Sequence, residues 1–214
     1  MSAPVFCAAA DDDTGATDLA GMLTGEGLRT VLVLDGRPEA WGEGYDAVIT
    51  GTGSRALPPA DAYARTREAV GRLRALSPRV IEVKYCSTFD STAEGNIGPS
   101  IDAAMDELGE AFTVALPALP VNGRTTFLGY HFVHGQLLSE SPMRDHPLTP
   151  MRNSNLVSHL QSQTRRRVVS VRHPVTREAL ETRRGEGAGI AILDCVSDAD
   201  RSEERRVGKE CRSR

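Results

Sequence analysis

The stretch KYCSTFDSTAEGNIGPS, residues 84–100, combines side chains that suit a small, oxygen-rich anion. It carries an ammonium group on Lys84, two carboxylates and a Gly-Asn-Ile-Gly turn. Its aliphatic hydroxyls include those of Ser87, Thr88, Ser91 and Thr92. The ammonium can neutralise an acid group while hydroxyls hydrogen-bond to the other oxygens of the molecule. A structural interpretation competes with this one, because serine and threonine before a helix are common N-cap residues.

Three consecutive aspartates at residues 11–13 follow an apolar run and precede a predicted helix. One carboxylate at a helix N-terminus is ordinary electrostatics and stabilises by about 0.3–1 kcal/mol. Three clustered like charges are unfavourable unless a cation or a hydroxyl ligand uses them, so we expect Asp11 and Asp12 to be functional. The same charges would repel a pyrophosphate, which needs glycines in this turn, so this is not a dinucleotide site.

Arg55 lies in GTGSRALPP, residues 51–59, which follows a predicted strand. A guanidinium pairs with a carboxylate through two parallel N–H donors. Arg55 is therefore a candidate for the acid group of a ligand, and a solvated surface arginine is the alternative. The four cysteines show no CxxC spacing, and His131, His134 and His146 lack helical i, i+4 spacing, so we predict no metal site.

Strands and helices alternate along the chain and must place these side chains near strand ends. Short runs rich in apolar and β-branched residues predict strands at residues 30–34, 46–50, 80–83, 112–116, 168–171 and 190–195. Helical periodicity predicts helices at residues 16–28, 60–76, 101–111, 155–163 and 174–182. The strand at residues 30–34 is predicted to be buried on both faces. Residues 125–141 predict a β-hairpin that turns at His134-Gly135.

The fold class that we expect is α/β, a three-layer Rossmann-like domain with a mostly parallel sheet and a β-hairpin insertion. In such sheets, ligands bind at the carboxyl ends of the strands. The glycine-rich run at residues 184–190 precedes a strand rather than following one, so we interpret it as a turn and not as a phosphate loop.

Composition argues against several classes of function. The chain has 214 residues, 40% of them hydrophobic, and a formal net charge of −4, which argues against a nucleic-acid surface. The sequence contains no apolar run of about 18 residues, so we predict no membrane helix. The first residues lack the basic region of a signal peptide. We expect a cytoplasmic protein with reduced cysteines.

Residues 201–214, RSEERRVGKECRSR, resemble a translated sequencing adapter. They are mostly charged, with Val207 as their only aliphatic residue. We therefore expect a non-native tail, excluded from fold reasoning, and a natural chain that continued beyond residue 200.

Five motifs occur in order along the chain: DDDTGATD (11–18), GTGSRALPP (51–59), KYCSTFDSTAEGNIGP (84–99), LPVNGRTTFLGYHFV (119–133) and SESPMRDHPLTPMRNSN (139–155). Together they resemble the amino-terminal domain of the four-carbon acid sugar kinases. The third motif is most similar to the 3-oxo-tetronate 4-kinases of that family. One departure is Asp13, which stands where the family usually has an apolar residue.

The resemblance implies that residues 1–200 form the sugar-acid-binding domain of a kinase for the 4-hydroxyl of 3-oxo-tetronate. ATP and Mg²⁺ would bind a carboxyl-terminal domain that is absent from this chain. The implied catalytic residue is Asp12, with Asp11 second, as the base or orienter of that hydroxyl. The implied substrate-binding residues are Asp11, Arg55, Lys84, Tyr85, Cys86 and Ser87.

Two alternatives remain open at this point. The acid could be threonate, erythronate or 4-hydroxythreonate, with the choice depending on Tyr85-Cys86 and the loop at residues 139–155. The chain could also be a sugar-acid-binding module without catalysis. The expected partner is a small molecule rather than nucleic acid or membrane, and a homodimer is left open.

Overall fold

The computed structural model describes residues 3–34, 36–41 and 43–200. The chain divides into two compact units. The first unit comprises the residues up to Cys86 together with Pro99–Glu110, and the second comprises Ser87–Gly98 and the residues from Ala111 onward. The predicted adapter tail, residues 201–214, lies outside the described residues.

The first unit is built on a four-stranded parallel sheet with the order β2-β3-β1-β4. Its strands are β1 (Phe6–Ala10), β2 (Thr30–Val33), β3 (Ala47–Gly51) and β4 (Val80–Lys84). Its helices are α1 (Asp13–Gly25), α2 (Pro59–Arg74) and most of α3 (Ile97–Leu108). A short 3₁₀ helix spans Pro38–Trp41. The predicted α/β class with a parallel sheet is confirmed.

Small side chains in β1 let helices pack closely on both faces of this sheet. Cys7 and Ala9 point into a cluster with Val70 and Leu73 of α2. The alternate residues of the strand, Ala8 and Ala10, point into a second cluster that includes Leu19 and Leu23 of α1. This alternation follows from the two-residue period of a strand, and it places β1 at the centre of the unit.

Two details of the first unit differ from prediction. Strand β2 lies at the edge of the sheet and most of its residues are only partly buried, so the prediction of burial on both faces was wrong. The reason is that a strand with one neighbour in the sheet is covered less than a central strand. Helix α1 begins at Asp13, three residues before the predicted start, because the Asp12 side chain caps it.

The second unit contains a three-stranded parallel sheet with the order β5-β10-β9. These strands are β5 (Thr113–Ala115), β9 (Val168–Val171) and β10 (Ile190–Leu193). The helices of the unit are α4 (Leu156–Gln161) and α5 (Arg177–Gly185). Val171, Leu193 and Leu180 of α5 belong to its buried core. No helix in the described parts of the chain is long and apolar enough to cross a membrane.

An antiparallel sheet inserted in the second unit contains β6 (Arg124–Phe127), β7 (Tyr130–Val133) and β8 (Gln136–Leu137). The predicted turn at His134-Gly135 is confirmed. A second turn, at Leu128-Gly129, was not predicted because leucine seldom adopts the positive φ that both central residues have here.

Candidate functional site

The carboxyl ends of three adjacent strands meet at one edge of the first sheet. Ala10 of β1 pairs with Gly51 of β3 on one side and with Lys84 of β4 on the other. The residues that follow these positions must therefore lie near one another. The parallel register thus brings together the acidic turn, the Arg55 loop and the Lys84 segment.

Arg55 binds both carboxylates of the acidic turn. Its Nε and Nη2 donate to Oδ2 and Oδ1 of Asp11 at 2.9 and 2.8 Å, which is a bidentate pair. Its Nη1 lies 2.6 Å from Oδ2 of Asp12. The backbone N–H of Arg55 also donates to the Asp11 carbonyl at 3.2 Å. The guanidinium therefore cross-links the two aspartates.

Asp12 has a second contact, at the start of α1. Its Oδ1 accepts a hydrogen bond of 2.7 Å from the backbone N–H of Gly15, which is the N-cap arrangement. The Asp12 side chain is 27% exposed, whereas that of Asp11 is 10% exposed. Asp12 is thus the carboxylate that a ligand can reach more readily, and Asp11 mainly anchors Arg55.

Burial governs the ionisation of the deeper aspartate. Burial raises the pKa of the Asp11 carboxyl, and the hydrogen bonds and charge of Arg55 offset part of this rise. Burial opposes the charged form of Arg55 too, but the hydrogen bond and charge of Asp11, with the charges of Asp12 and Cys86, raise the pKa of the guanidinium. The low-dielectric setting makes the cluster sensitive to any added charge.

Lys84 completes the cluster on the other side of β1. Its Nζ donates to the Tyr85 carbonyl at 2.7 Å. A Cβ atom placed on Gly15 would lie 3.5 Å from this Nζ, 3.8 Å from Nη2 of Arg55 and 2.9 Å from Oδ1 of Asp12. Gly15 therefore lies directly against both cations and the capping carboxylate, and its missing side chain leaves the room they need.

The remaining predicted site residues, Tyr85, Cys86 and Ser87, lie just after β4. Tyr85 and Cys86 are partly buried and follow β4 directly. Ser87 begins the second unit. Asp13, the departure noted in the sequence, is exposed at the first position of α1.

Two buried histidines of the second unit hold the segment that starts at Ser87, and sequence reasoning missed both. Nε2 of His131 lies 2.8 Å from the Ser87 carbonyl oxygen, and Nε2 of His159 lies 2.5 Å from the Ser91 carbonyl oxygen. A carbonyl can only accept, so both Nε2 atoms carry the proton. Nδ1 of His131 then accepts from the Thr126 hydroxyl at 3.0 Å. These partners are 44 and 68 residues apart in sequence, so no local pattern reveals them.

The interior of this segment is structural. Phe89 is fully buried with a φ of 56°, a conformation that costs a non-glycine residue about 1–3 kcal/mol. Its ring meets His159 edge-on at 5.9 Å. The Ser91 hydroxyl oxygen accepts from the N–H of Asn96 at 3.0 Å, just before α3. Ser91 therefore accepts from backbone donors at the start of α3, but it lies six residues before Ile97 and is not the N-cap residue itself.

Burial also determines the charge state of the two histidines. It lowers the pKa of His131 to about 4, and the nearby positive charge of Arg124 acts in the same direction against the hydrogen bond to Ser87. Burial likewise lowers the pKa of His159. Both imidazoles are therefore neutral at pH 7.

A parallel α/β sheet whose strand ends carry cross-linked carboxylates and two cations defines a class of small-molecule-binding domain. The chain belongs to the family described as the sugar-binding N-terminal domain, whose model matches residues 6–207.

Similar proteins include 3-oxo-tetronate kinases. The one from Burkholderia multivorans is 47% identical over 93% of this chain and 48% of its own length. The one from Escherichia coli is 42% identical over 88% of this chain and 50% of its own length. The chain thus spans about half the length of the curated relatives that it matches.

Solved structures agree on the fold. A crystal structure from Salmonella typhimurium has a TM-score of 0.92 and 39% identity, and covers 96% of this chain and 51% of that one. A crystal structure from Bordetella bronchiseptica, a domain-swapped dimer with bound citrate, has a TM-score of 0.76 and 29% identity. It covers 92% of this chain and 48% of that one.

Two observations bear on a nucleotide and its magnesium ion. Within residues 3–34, 36–41 and 43–200, no group of three or more His, Cys, Asp or Glu side chains is placed to hold a metal ion. The glycine-rich run lies between α5 and β10 and so precedes a strand, whereas a phosphate-binding loop follows one. The predicted turn is confirmed there.

Proposed function

We propose that this chain is the sugar-acid-binding portion of an ATP-dependent kinase that phosphorylates the 4-hydroxyl of 3-oxo-tetronate. The observation that carries the proposal is the cluster of Asp11, Asp12, Arg55 and Lys84 at the carboxyl edge of the sheet. Support comes from the relatives named 3-oxo-tetronate kinase and from the citrate bound by the Bordetella bronchiseptica neighbour, because citrate shares carboxylate and hydroxyl groups with a sugar acid.

Asp12 is the carboxylate that we assign to the reacting hydroxyl, with Asp11 as the second candidate. Asp12 is the more exposed of the two, and its position is fixed from both sides by the N–H of Gly15 and by Arg55. Phosphoryl transfer depends mainly on positioning and charge neutralisation, so Asp12 would orient the 4-hydroxyl more than ionise it.

Lys84 and the residues after it are assigned to the rest of the acid. Lys84 supplies a positive charge at the strand end, and Tyr85, Cys86 and Ser87 follow in the same segment. In this assignment, Arg55 acts largely by holding Asp11 and Asp12 in place, since both carboxylates already bind its guanidinium. Its direct contact with substrate stays a prediction.

We assign ATP and Mg²⁺ to a part of the protein outside these 214 residues, because the chain spans about half the length of its relatives named 3-oxo-tetronate kinase. The chain alone is then expected to bind the acid without phosphorylating it. We further propose a cytoplasmic protein and a homodimer, the latter in view of the dimeric Bordetella bronchiseptica neighbour.

Calorimetric titration of the chain with 3-oxo-tetronate and with threonate tests the proposal. We expect saturable binding of 3-oxo-tetronate that Lys84→Met weakens strongly, because the variant removes a charge at the strand end. Arg29→Met is the matched control, since it removes an exposed cation of the same unit. Absence of binding to the folded chain, or equal binding by Lys84→Met, would contradict the proposed site.

A further inference from the structure

The loop that presents Arg55 is tied to the end of β1 by Thr52. The backbone N–H of Thr52 donates to the Ala10 carbonyl at 2.8 Å, and its Oγ1 donates to the same carbonyl at 2.9 Å. A carbonyl oxygen has two lone pairs, so it accepts both hydrogen bonds. The second bond fixes the direction of the Thr52 side chain, directly before Asp11 in the neighbouring strand end.

Ser54 extends this contact towards Arg55. Its Oγ lies 2.8 Å from Oγ1 of Thr52. The single hydroxyl proton of Thr52 is already donated to a carbonyl, so Ser54 is the donor in this second bond. Gly53 lies between the two residues with a φ of 59°, a left-handed conformation that glycine adopts without strain. The turn at Gly53 allows the two hydroxyls to meet.

The next residue along the chain is Arg55, so its side chain starts from a backbone that these bonds hold. Ser54 is buried, with 1% of its surface exposed, and a buried hydroxyl that lost its acceptor would carry a desolvation penalty. The backbone N–H of Arg55 donates to the Asp11 carbonyl at 3.2 Å. Hydrogen bonds to two consecutive residues, Ala10 and Asp11, therefore fix the loop against the strand end.

We propose that Thr52 and Ser54 are positioning residues for the sugar-acid site, because their hydroxyls hold Arg55 in place against its two aspartates. This inference rests on the proposed function and deepens it. Neither hydroxyl is assigned a contact with the substrate, since each acts through the guanidinium.

Calorimetric titration with 3-oxo-tetronate tests this role. We expect Thr52→Val, which keeps the shape of the side chain and removes its hydroxyl, to weaken binding by about threefold to tenfold, the range of one hydrogen bond. Thr52→Ser keeps the hydroxyl and should restore binding. Thr24→Val is the matched control and should bind like the unaltered chain. The Thr24 hydroxyl also donates to a backbone carbonyl of the first unit, that of Ala20, at 2.8 Å.

The fork between Arg55 and Asp11 provides a second readout that needs no ligand. The Arg55 hydrogen bonds lower the pKa of the Asp11 carboxyl against the effect of burial. We therefore expect this carboxyl to titrate at a higher pH in Thr52→Val than in the unaltered chain, and at an unchanged pH in Thr24→Val. Carboxyl ¹³C NMR measures both. A turn that only stabilised the fold would leave the titration unmoved.

Either unaltered binding or an unmoved Asp11 titration in Thr52→Val would overturn the inference. Binding by Thr52→Ser as weak as that of Thr52→Val would also overturn it, because the hydroxyl would then not be the group responsible. If Thr52→Val fails to fold, Ser54→Ala replaces it with the same expected direction in both measurements. If the unaltered chain binds no sugar acid, the proposed function is contradicted, whereas the Asp11 titration still decides whether Thr52 positions Arg55.

Discussion

The first unit contains two Arg–Asp forks of the same geometry in different surroundings. Arg29 binds Asp46 through Nε and Nη2 at 2.9 Å each, and Arg55 binds Asp11 through the same atoms at 2.9 and 2.8 Å. The side chains of the Arg29–Asp46 fork are 63% and 33% exposed, whereas those of the Arg55–Asp11 fork are 26% and 10% exposed.

The pKa values of the two aspartates move in opposite directions. The Arg29 hydrogen bond lowers the pKa of Asp46 to about 2, whereas burial raises the pKa of Asp11 despite an equal hydrogen bond. Asp46 therefore stabilises the folded chain above its unfolded pKa of 3.8, and this contribution is lost as the pH falls towards 2. The sign is reversed for Asp11, whose raised pKa favours the folded state as the pH falls.

Burial, and not the geometry of the fork, distinguishes the Arg55–Asp11 pair at the strand ends from the surface ion pair of Arg29 and Asp46. An exposed pair adds little to stability because water already solvates both charges. A buried pair carries a desolvation penalty that its partners must offset. The Arg55–Asp11 fork carries that desolvation penalty at the strand ends. A charged ligand would interact more strongly with these charges than with solvated ones, because less water screens them.

Removing the Arg55 guanidinium should have the largest effect on the free energy of unfolding. We expect Arg55→Met to lower the free energy of unfolding by about 3–5 kcal/mol, because it leaves the Asp11 carboxylate buried without its partner. Arg29→Met should change it far less, since Asp46 remains in contact with water. Urea denaturation at pH 7 measures both.

A double variant controls for the loss of packing. Asp11→Asn combined with Arg55→Met removes the buried charge as well as its partner, so it should be more stable than Arg55→Met alone. If Arg55→Met and Arg29→Met cost the same, burial is not the difference between the forks.

His131 extends the comparison to a buried, neutral imidazole in the second unit. Its pKa falls from 6.5 to about 4 on folding, mainly through burial, so the unfolded chain takes up a proton first as the pH drops. The contribution of His131 to stability is therefore complete above pH 6.5. We expect about 3 kcal/mol to be lost between pH 6.5 and 4, since one pKa unit corresponds to about 1.4 kcal/mol.

His131→Gln should flatten this part of the stability curve, because glutamine keeps an N–H donor for the Ser87 carbonyl but does not titrate. Arg124 is the charged group identified as acting on His131, so Arg124→Gln should raise the pKa of the imidazole slightly. Parallel curves for His131→Gln and the unaltered chain would show that His131 is not the group responsible.

Direct titration of the two aspartates is a smaller and cleaner test. In one set of ¹³C spectra, the Asp46 carboxyl should titrate at about 2 and the Asp11 carboxyl above 3.8. The reverse order would mean that the Arg55 hydrogen bonds outweigh burial.

Alanine substitutions at two glycines of α1 should have the smallest effects on stability. Gly21→Ala meets nothing within 4 Å and should stabilise the chain by about 0.5–1 kcal/mol through helix propensity. Gly15→Ala should lose this gain, because its Cβ would lie 2.9 Å from Oδ1 of Asp12 and displace the capping carboxylate. Urea midpoints compare the two, and equal midpoints would mean that the cluster tolerates a methyl group.

The sequence predicted the parts of the fold that local pattern controls. Strands β3 and β9 were placed to within one residue because both are rich in β-branched residues. The meeting of Asp11, Arg55 and Lys84 was implied by the family resemblance, and the register of the parallel strands accounts for it. The start of α1 was missed because the choice of cap depends on which of three aspartates turns back onto the helix.

The arrangement of charges within the site could not be predicted. The sequence indicates that Arg55 can bind a carboxylate, but not that Asp11 and Asp12 bind it first, because that depends on loop geometry 44 residues away along the chain. The roles of His131 and His159 depend on equally distant backbone carbonyls. Burial of a histidine cannot be inferred from its own residue type.

The most direct test follows both forks at once while 3-oxo-tetronate is added to the chain. NMR would monitor the Nε–H resonances of Arg55 and Arg29 together with the carboxyl carbons of Asp11 and Asp46. We expect saturable shifts at Arg55 and Asp11 and none at Arg29 and Asp46. Unmoved resonances at Arg55 and Asp11, or equal shifts at both forks, would contradict the claim that the buried cluster is the sugar-acid site.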